Sequence, residues 1–194
     1  MHRFPLSCTT WTFAGRPLVD AIDAVARLGF EGVDIPIGLQ MEVDATDRAQ
    51  RQRITRAVRD AKLAFTGFHW AVPPGYHYGT PDAALRAKTV AYFQRVIDMA
   101  EEMGVATITL GCGYTHKVDP AWDRAVCLRN ARDSWERWAR HLEGKRVRVG
   151  LEVLSRLDVN VLNTVAECAA FLRGITGPNL GLTLDTYHMN IEEN

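Results

Sequence analysis

Two apolar runs that each end on an acid decide the fold of this chain: Val147-Arg-Val-Gly-Leu-Glu152 and Leu180-Gly-Leu-Thr-Leu-Asp185, the second followed by Thr-Tyr-His188. Each run has the length and composition of a buried β-strand. The carboxyl ends of neighbouring parallel strands meet at one edge of a sheet, roughly 5 Å apart. Two carboxylates so placed repel each other unless a cation or a shared proton lies between them. The two runs therefore predict a parallel sheet with a metal or proton-transfer site at its carboxyl edge.

The rest of the chain repeats the same unit, a short apolar strand followed by an amphipathic helix. The pattern predicts strands at 6–12, 32–37, 64–70, 105–110, 147–152 and 180–185. Apolar residues recur at helical spacing between them and predict helices at 17–28, 47–62, 82–103, 123–142 and 165–172. The strands are apolar through most of their length, which is typical of strands buried on both faces. This alternation predicts an α/β fold with a parallel sheet.

Strand ends distinguish an open doubly wound sheet from a barrel. No Gly-x-Gly-x-x-Gly follows the first strand, so a dinucleotide-binding sheet has no support. Polar side chains follow the strands instead, at Thr12, Asp34, His69, Glu152 and Asp185. Barrel enzymes carry their chemistry at that face, and a complete barrel has eight strands and about 250 residues. We therefore expect residues 1–194 to form one partial (β/α)8 TIM barrel domain with about six of the eight units.

Composition narrows the possible partners and compartment. The chain has 47% hydrophobic and 24% charged residues with zero formal net charge, which is typical of a globular protein and disfavours a nucleic-acid partner. The amino terminus has no apolar run typical of a signal peptide, and no run is long enough to cross a membrane. We expect a cytoplasmic protein without a membrane partner. The cysteines form no Cys-x-x-Cys pair and are expected as core or helix residues: Cys8, Cys112, Cys127 and Cys168.

Four further residues are candidates for binding a substrate. His188 comes just after Asp185, and Asp158 lies in the loop after Glu152. His69 and Trp11 lie near the ends of strands three and one, where side chains can wall a small polar ligand. Each has an alternative role. A structural hydrogen bond suits His188, a turn cap suits Asp158, and packing suits His69, Trp11 and the neighbouring Trp70.

Three motifs resemble one known group of enzymes. They are Gly150-Leu-Glu-Val-Leu-Ser-Arg156, Leu162-Asn-Thr164 and Leu184-Asp-Thr-Tyr-His-Met-Asn-Ile-Glu-Glu193. These motifs resemble the D-tagatose/D-psicose 3-epimerase family, which belongs to the xylose isomerase-like TIM barrels of the sugar phosphate isomerase/epimerase superfamily. The sharp motifs lie in the last 45 or so residues, whereas the order of strands and helices is similar along the whole chain.

The resemblance implies a metal-dependent ketose 3-epimerase or sugar isomerase that acts through an enediolate. It implies a divalent metal, Mn²⁺, Mg²⁺ or Co²⁺, held by two Glu, one Asp and one His. Glu152 and Asp185 match two of these ligands, and Glu152 also matches the acid/base. His188 matches a residue that contacts substrate oxygens, and Asp158 stands where the family often has Glu. The remaining His and Glu lie on strands seven and eight of the family, beyond the six strands predicted here.

Several alternatives stay open at this point. The chain could be a hydroxypyruvate isomerase-like enzyme or an inactive truncated barrel that lacks two metal ligands. A nuclease of the endonuclease-IV type has one supporting residue, His69, and is disfavoured by the neutral charge. The candidate substrates are D-tagatose, D-fructose, D-psicose, hydroxypyruvate and phosphorylated sugars. Six units leave two open sheet edges, which invite pairing with another copy, so we expect a homo-oligomer.

Overall fold

Six parallel strands form one sheet whose spatial order is the order of the sequence. The structure is a computed structural model that describes residues 4–69, 72–111 and 113–193. The strands are β1 (Ser7–Thr9), β2 (Gly32–Pro36), β3 (Ala64–His69), β4 (Thr107–Leu110), β5 (Arg148–Glu152) and β6 (Leu180–Thr183). All six predicted strands are present, and each lies next to its neighbour in sequence, as in the β-α units of a TIM barrel.

Helices connect successive strands. They are α1 (Leu18–Arg27), α2 (Arg48–Asp60), α3 (Ala83–Met103), α4 (Gly113–His116), α5 (Arg124–His141), α6 (Val165–Leu172) and α7 (Thr186–Glu192). The five predicted helices are confirmed to within two residues, because caps fix their ends. Asp47 and Thr164 each form a capping box, and Gly104 ends α3 in the left-handed conformation. Sequence periodicity missed only the short α4 and α7, which span too few turns to repeat an apolar face.

The first strand is shorter than predicted. It ends at Thr9, and residues Thr10–Phe13 form a 3-10 helix. The Thr9 hydroxyl accepts a hydrogen bond from the Trp11 backbone N–H and so caps this turn. Trp11 therefore lies on a turn above the sheet rather than in a strand. Trp70, predicted to end strand three, lies outside the described residues.

The apolar core lies between the helices and one face of the sheet. Trp135 and Trp138 of α5 are fully buried, and the Trp138 indole donates to Val90 O of α3 at 3.2 Å. Strand residues such as Ile108 and Leu151 complete this core and are fully buried. The apolar faces of α3 and α5 therefore pack into this core.

The opposite face of the sheet is polar, so the prediction of strands that are apolar on both faces is wrong. Small hydroxyl residues and glycines alternate there with the buried aliphatic ones. Ser7 and Thr66 hydrogen-bond at 2.6 Å across the glycine of β2, and Thr109 and Thr183 do so at 3.2 Å across Gly150 of β5. A Cβ at Gly150 would collide with the Thr183 hydroxyl. Glycine on the middle strand therefore lets hydroxyl groups from its two neighbours meet.

Two outer strands, β1 and β6, each pair with a single neighbour among the described residues. Their outward backbone groups have no strand partner within these ranges. No helix in the described parts of the chain is long and apolar enough to span a membrane.

Candidate functional site

A cavity of about 640 Å³ lies on the polar face of the sheet, at the carboxyl ends of the strands. Five of the six predicted site residues, all except Asp158, line it. The charged and imidazole-bearing residues among the lining are Asp34, His69, Glu152, Asp185 and His188. No described residue that lines this cavity is a lysine or an arginine. The cavity is therefore acidic on two walls, one formed by β5 and β6 and the other by β1 to β3.

Glu152, Asp185 and His188 form the β5–β6 wall. Each offers one ligand atom that lies within 4.8 Å of the other two. Glu152 ends β5, and Asp185 and His188 follow β6 at the start of α7. Gly111 faces Glu152, and a Cβ there would overlap the Glu152 carboxylate. Only a glycine at that position leaves room for the carboxylate to lie in the cavity.

Negative charge is crowded on this wall. Burial, followed by the charges of Asp185 and Asp158, raises the pKa of the Glu152 carboxyl to about 7. None of the described residues that line the cavity is a lysine or an arginine that could offset these charges. The chain therefore gathers three carboxylates in one place without balancing their charge.

Asp185 serves the wall and the helix at the same time. Its Oδ1 accepts a 2.7 Å hydrogen bond from the Tyr187 N–H, so the carboxylate caps α7. Its Oδ2 lies 3.9 Å from His188 Nε2. One oxygen is thus engaged by backbone while the other is directed into the cavity.

Hydrogen bonds fix the ring of His188. Its Nδ1 accepts from the Ser155 backbone N–H at 3.2 Å. In the neutral ring the proton therefore lies on Nε2, the nitrogen that faces Asp185. An Nε2–H group donates a hydrogen bond and does not bind a metal. This tautomer fits the predicted contact with a substrate oxygen better than it fits metal ligation.

Asp158 does not line the cavity but supports it. The Ser155 hydroxyl donates to Asp158 Oδ2 at 3.2 Å, and the same oxygen lies 3.6 Å from His188 Nδ1. The Asp158 N–H also bonds to Ser155 O, so Asp158 lies in the turn behind His188 and outside the cavity lining. Its side chain is 48% exposed and contributes to the raised pKa of Glu152.

The opposite wall contains a pair that sequence reasoning did not join. His69 Nδ1 lies 2.7 Å from Asp34 Oδ1, and His69 Nε2 lies 3.5 Å from the Thr9 hydroxyl. The sequence pattern identifies Asp34 only as a polar residue near the end of a strand. The signal that could have found the pair is the spacing, since Asp34 and His69 both lie near the ends of adjacent strands. Trp11 lies at the rim of this wall and is 44% exposed.

The arrangement on the β5–β6 wall fits a divalent cation. Two carboxylates whose oxygens approach within 4.8 Å suit a hard ion such as Mg²⁺ or Mn²⁺. Burial, and then the charges of Asp185 and Asp158, raise the pKa of Glu152, and a bound cation would favour its ionised form. The space beside Gly111 keeps the Glu152 carboxylate unobstructed. Glu152 and Asp185 are the residues that would hold the ion.

Comparisons with known proteins point in one direction. A family model described as xylose isomerase-like TIM barrel matches residues 22–194. The chain is 29% identical over 184 residues to a D-psicose 3-epimerase of Agrobacterium fabrum, covering 89% of this chain and 59% of that protein. It is 38% identical over 104 residues to a ketose 3-epimerase of Arthrobacter globiformis, covering 51% of this chain and 34% of that protein.

Solved structures show the same fold. A crystal structure of D-psicose 3-epimerase in the presence of D-fructose superposes with a TM-score of 0.84 and 23% identity, covering 97% of this chain and 65% of that one. D-allulose 3-epimerase from Methylomonas sp. in complex with D-allulose gives a TM-score of 0.81 and 24% identity, covering 99% and 66%. The chain thus spans about three fifths of the length of its full-length relatives. With the six parallel strands and the family match together, the chain belongs to the xylose isomerase-like TIM barrel family, and its curated relatives are ketose 3-epimerases.

Proposed function

We propose that the chain carries half of the active site of a metal-dependent ketose 3-epimerase, a sugar isomerase that acts through an enediolate. The observation that carries this proposal is the meeting of Glu152, Asp185 and His188 at the carboxyl edge of β5 and β6. The family match supports it, since the family model covers residues 22–194, which include all three side chains.

Glu152 is the proposed proton-transfer group. The carbon next to a ketone is weakly acidic, and a carboxylate on one side of the sugar can remove its proton. Gly111 leaves this carboxylate open to the cavity. His188 donates its Nε2–H to a substrate oxygen and so holds the sugar against Glu152. Asp158 accepts from the Ser155 hydroxyl and so supports the ring indirectly, through the Ser155 N–H that donates to His188 Nδ1.

Glu152 and Asp185 are the proposed ligands of a divalent metal, Mn²⁺, Mg²⁺ or Co²⁺. When bound, such an ion stabilises the negative charge that develops on the sugar oxygens as the proton leaves. Inversion at carbon 3 also requires an acid on the other face of the sugar. In the family the two remaining ligands are a His and the Glu that is also this acid, and both belong to strands seven and eight, so the complete activity is a property of the whole barrel.

The lining favours an uncharged sugar. Three carboxylates face the cavity and the described lining has no lysine or arginine, so a phosphate or carboxylate group would meet repulsion. This disfavours phosphorylated sugars and the hydroxypyruvate isomerase-like alternative, which needs an anionic substrate. D-fructose, D-tagatose and D-psicose remain the candidates.

Two further proposals concern the domain organisation and the assembly of the chain. Residues 1–194 act as one domain, because a single core joins the helices to one sheet. The chain assembles with further copies, because β1 and β6 each have one strand neighbour within the described ranges. Light scattering coupled to size exclusion tests the second, and a monomer at micromolar concentration would contradict it.

The experiment is deuterium incorporation at carbon 3 of D-fructose and D-tagatose in D₂O, with and without Mn²⁺. It is performed on this chain and on a chain that carries two further β-α units. Metal-dependent label at carbon 3 with either chain supports the proposal. Label with the longer chain alone assigns the activity to the whole barrel, which makes these 194 residues inactive by themselves. No label with either chain, while Mn²⁺ binds, overturns the epimerase function.

A further inference from the structure

The wall opposite the carboxylates carries a continuous chain of hydrogen bonds. The Trp11 N–H donates to the Thr9 hydroxyl at 3.2 Å, and that hydroxyl faces His69 Nε2 at 3.5 Å. His69 Nδ1 in turn lies 2.7 Å from Asp34 Oδ1. These hydrogen bonds therefore link the turn after β1 to β3 and then to β2. Three of the side chains that form them line the cavity, those of Thr9, Asp34 and His69.

The short contact with Asp34 assigns the tautomer of His69. A carboxylate only accepts, so in the neutral ring the proton lies on Nδ1 and Nε2 presents a lone pair. This is the reverse of His188, whose Nε2 carries the proton. The cavity thus has one imidazole that donates from the β5–β6 wall and one that accepts from the opposite wall.

The Nε2 lone pair of His69 is only loosely occupied. Its contact with the Thr9 hydroxyl is 3.5 Å, at the outer limit for a hydrogen bond and well beyond the usual 2.8 Å or so. A ligand hydroxyl that approached to that usual distance would replace it with a stronger bond. The Thr9 hydroxyl would lose little, because it keeps its bond from the Trp11 N–H.

The strand register sets the distance between the two walls. His69 pairs with Thr109 and Thr109 with Gly150, so His69 lies two strands away from β5 and one inward-facing layer below Glu152. Those offsets are roughly 10 Å across the strands and about 7 Å along them. An extended six-carbon chain, about 6 Å long from C–C bonds of about 1.5 Å, bridges the gap left between the two side chains. A three-carbon molecule held at Glu152 does not reach His69.

We propose that His69, positioned by Asp34, is the specificity-determining acceptor for the hydroxyl at the far end of a six-carbon ketose. The inference rests on the proposed function only for the placement of the reacting end at Glu152. His69 contacts the ligand through Nε2, and Asp34 is a positioning residue that acts through the His69 ring. The site therefore selects sugars by length and by a terminal hydroxyl group.

Binding rather than turnover tests the inference, so that it can fail independently of the epimerase function. Dissociation constants are measured at pH 8 for D-fructose, 6-deoxy-D-fructose and dihydroxyacetone. The protein is whichever of the two chains of the deuterium experiment binds D-fructose. We expect D-fructose to bind about five- to tenfold more tightly than its 6-deoxy analogue, the size of one net hydrogen bond. Equal affinity for the two sugars overturns the inference, even if carbon 3 exchanges.

Variants separate ligand contact from a structural role. His69→Phe should lose the five- to tenfold preference, and His69→Gln, which keeps an acceptor, should restore part of it. His141→Phe is the matched control, because His141 forms a similar pair with Asp98 on the outer surface at 2.8 Å. A preference that survives in His69→Phe overturns the inference.

The tautomer supplies a readout that needs no variant of His69. Nitrogen-15 spectra of labelled histidine should show an unprotonated Nε2 in His69 whose shift moves when D-fructose is added and stays in place with the 6-deoxy sugar. Asp34→Ala should abolish this single tautomer and weaken D-fructose binding. A protonated Nε2 in the wild-type ring, or a shift that both sugars induce equally, overturns the inference.

Discussion

The two walls of the cavity treat their charges in opposite ways. On the wall of β1 to β3, Asp34, His69 and Thr9 satisfy one another, and the chain is closed by a backbone N–H. On the wall of β5 and β6, Glu152 and Asp185 are brought together without a lysine or an arginine among the described lining residues, and burial followed by nearby charges raises the pKa of Glu152 to about 7. The first wall holds its carboxylate against a donor from the same chain. The second wall fits a bound divalent cation. We therefore expect the first wall to recognise the substrate and the second wall to carry out the proton transfer.

The largest expected effect comes from removing the proton-transfer group. Glu152→Gln should lower carbon 3 exchange by about 10²- to 10⁴-fold, the range for loss of a general base. The same change should not lower the free energy of unfolding at pH 8, because it removes repulsion with Asp185 and Asp158. Exchange is followed by NMR and stability by urea denaturation. Glu143→Gln, an exposed glutamate after α5, is the control.

If the Glu152→Gln variant kept most of the exchange while its free energy of unfolding fell, the contrast between the two walls would be contradicted. Glu152 would then be a structural residue on a wall that is as self-sufficient as the opposite one.

Metal binding should distinguish the walls by stability. Mn²⁺ at about 100 times its dissociation constant should raise the free energy of unfolding by about 2.7 kcal/mol. Asp185→Asn should remove most of this gain, although asparagine still caps α7. Asp34→Asn on the other wall should leave the gain intact. Calorimetry measures both, and equal losses in the two variants would contradict a metal site confined to β5 and β6.

Removing the Asp34–His69 pair from the wall of β1 to β3 should lower the free energy of unfolding even when no metal is added. His69→Phe leaves the Asp34 carboxylate without its donor, which should lower the free energy of unfolding by about 1 kcal/mol. His141→Phe removes a more exposed pair and should cost at most about 0.5 kcal/mol. Urea denaturation compares them. Equal costs would mean that the pair in the cavity contributes no more than a surface ion pair.

A pH-dependent effect is expected from a histidine away from both walls. Burial lowers the pKa of His77, and a weaker opposing effect comes from its bond to Lys117 O. The unfolded state then binds a proton that the folded state excludes, so this stability is present above about pH 6.5 and is lost as the pH falls. Between pH 7.5 and 5.5 the wild type should lose up to about 1.4 kcal/mol more than His77→Gln. Parallel stability curves for the two proteins would contradict this.

Sequence reasoning predicted the order of the fold well because strands and long helices repeat their pattern over many residues. It placed Glu152 and Asp185 correctly at adjacent strand ends, and their 4.8 Å grouping with His188 is consistent with the expected site. It missed the polar face of the sheet. Hydroxyl residues and glycines such as Gly150 do not interrupt a strand pattern, and they are neither clearly apolar nor charged. It also missed the Asp34–His69 pair, since contacts between strands 35 residues apart depend on register rather than on local pattern.

The double engagement of Asp185 ties the cavity to the mobility of a helix. Its Oδ1 caps α7 through Tyr187 while its Oδ2 faces the site. A ligand that draws this carboxylate toward itself weakens the cap, and a cap is worth about 1 kcal/mol. Occupancy and the fraying of α7 are therefore coupled equilibria, and the coupling is reciprocal. Amide hydrogen exchange in the first turn of α7, an exposed helix, would then report whether the cavity is occupied.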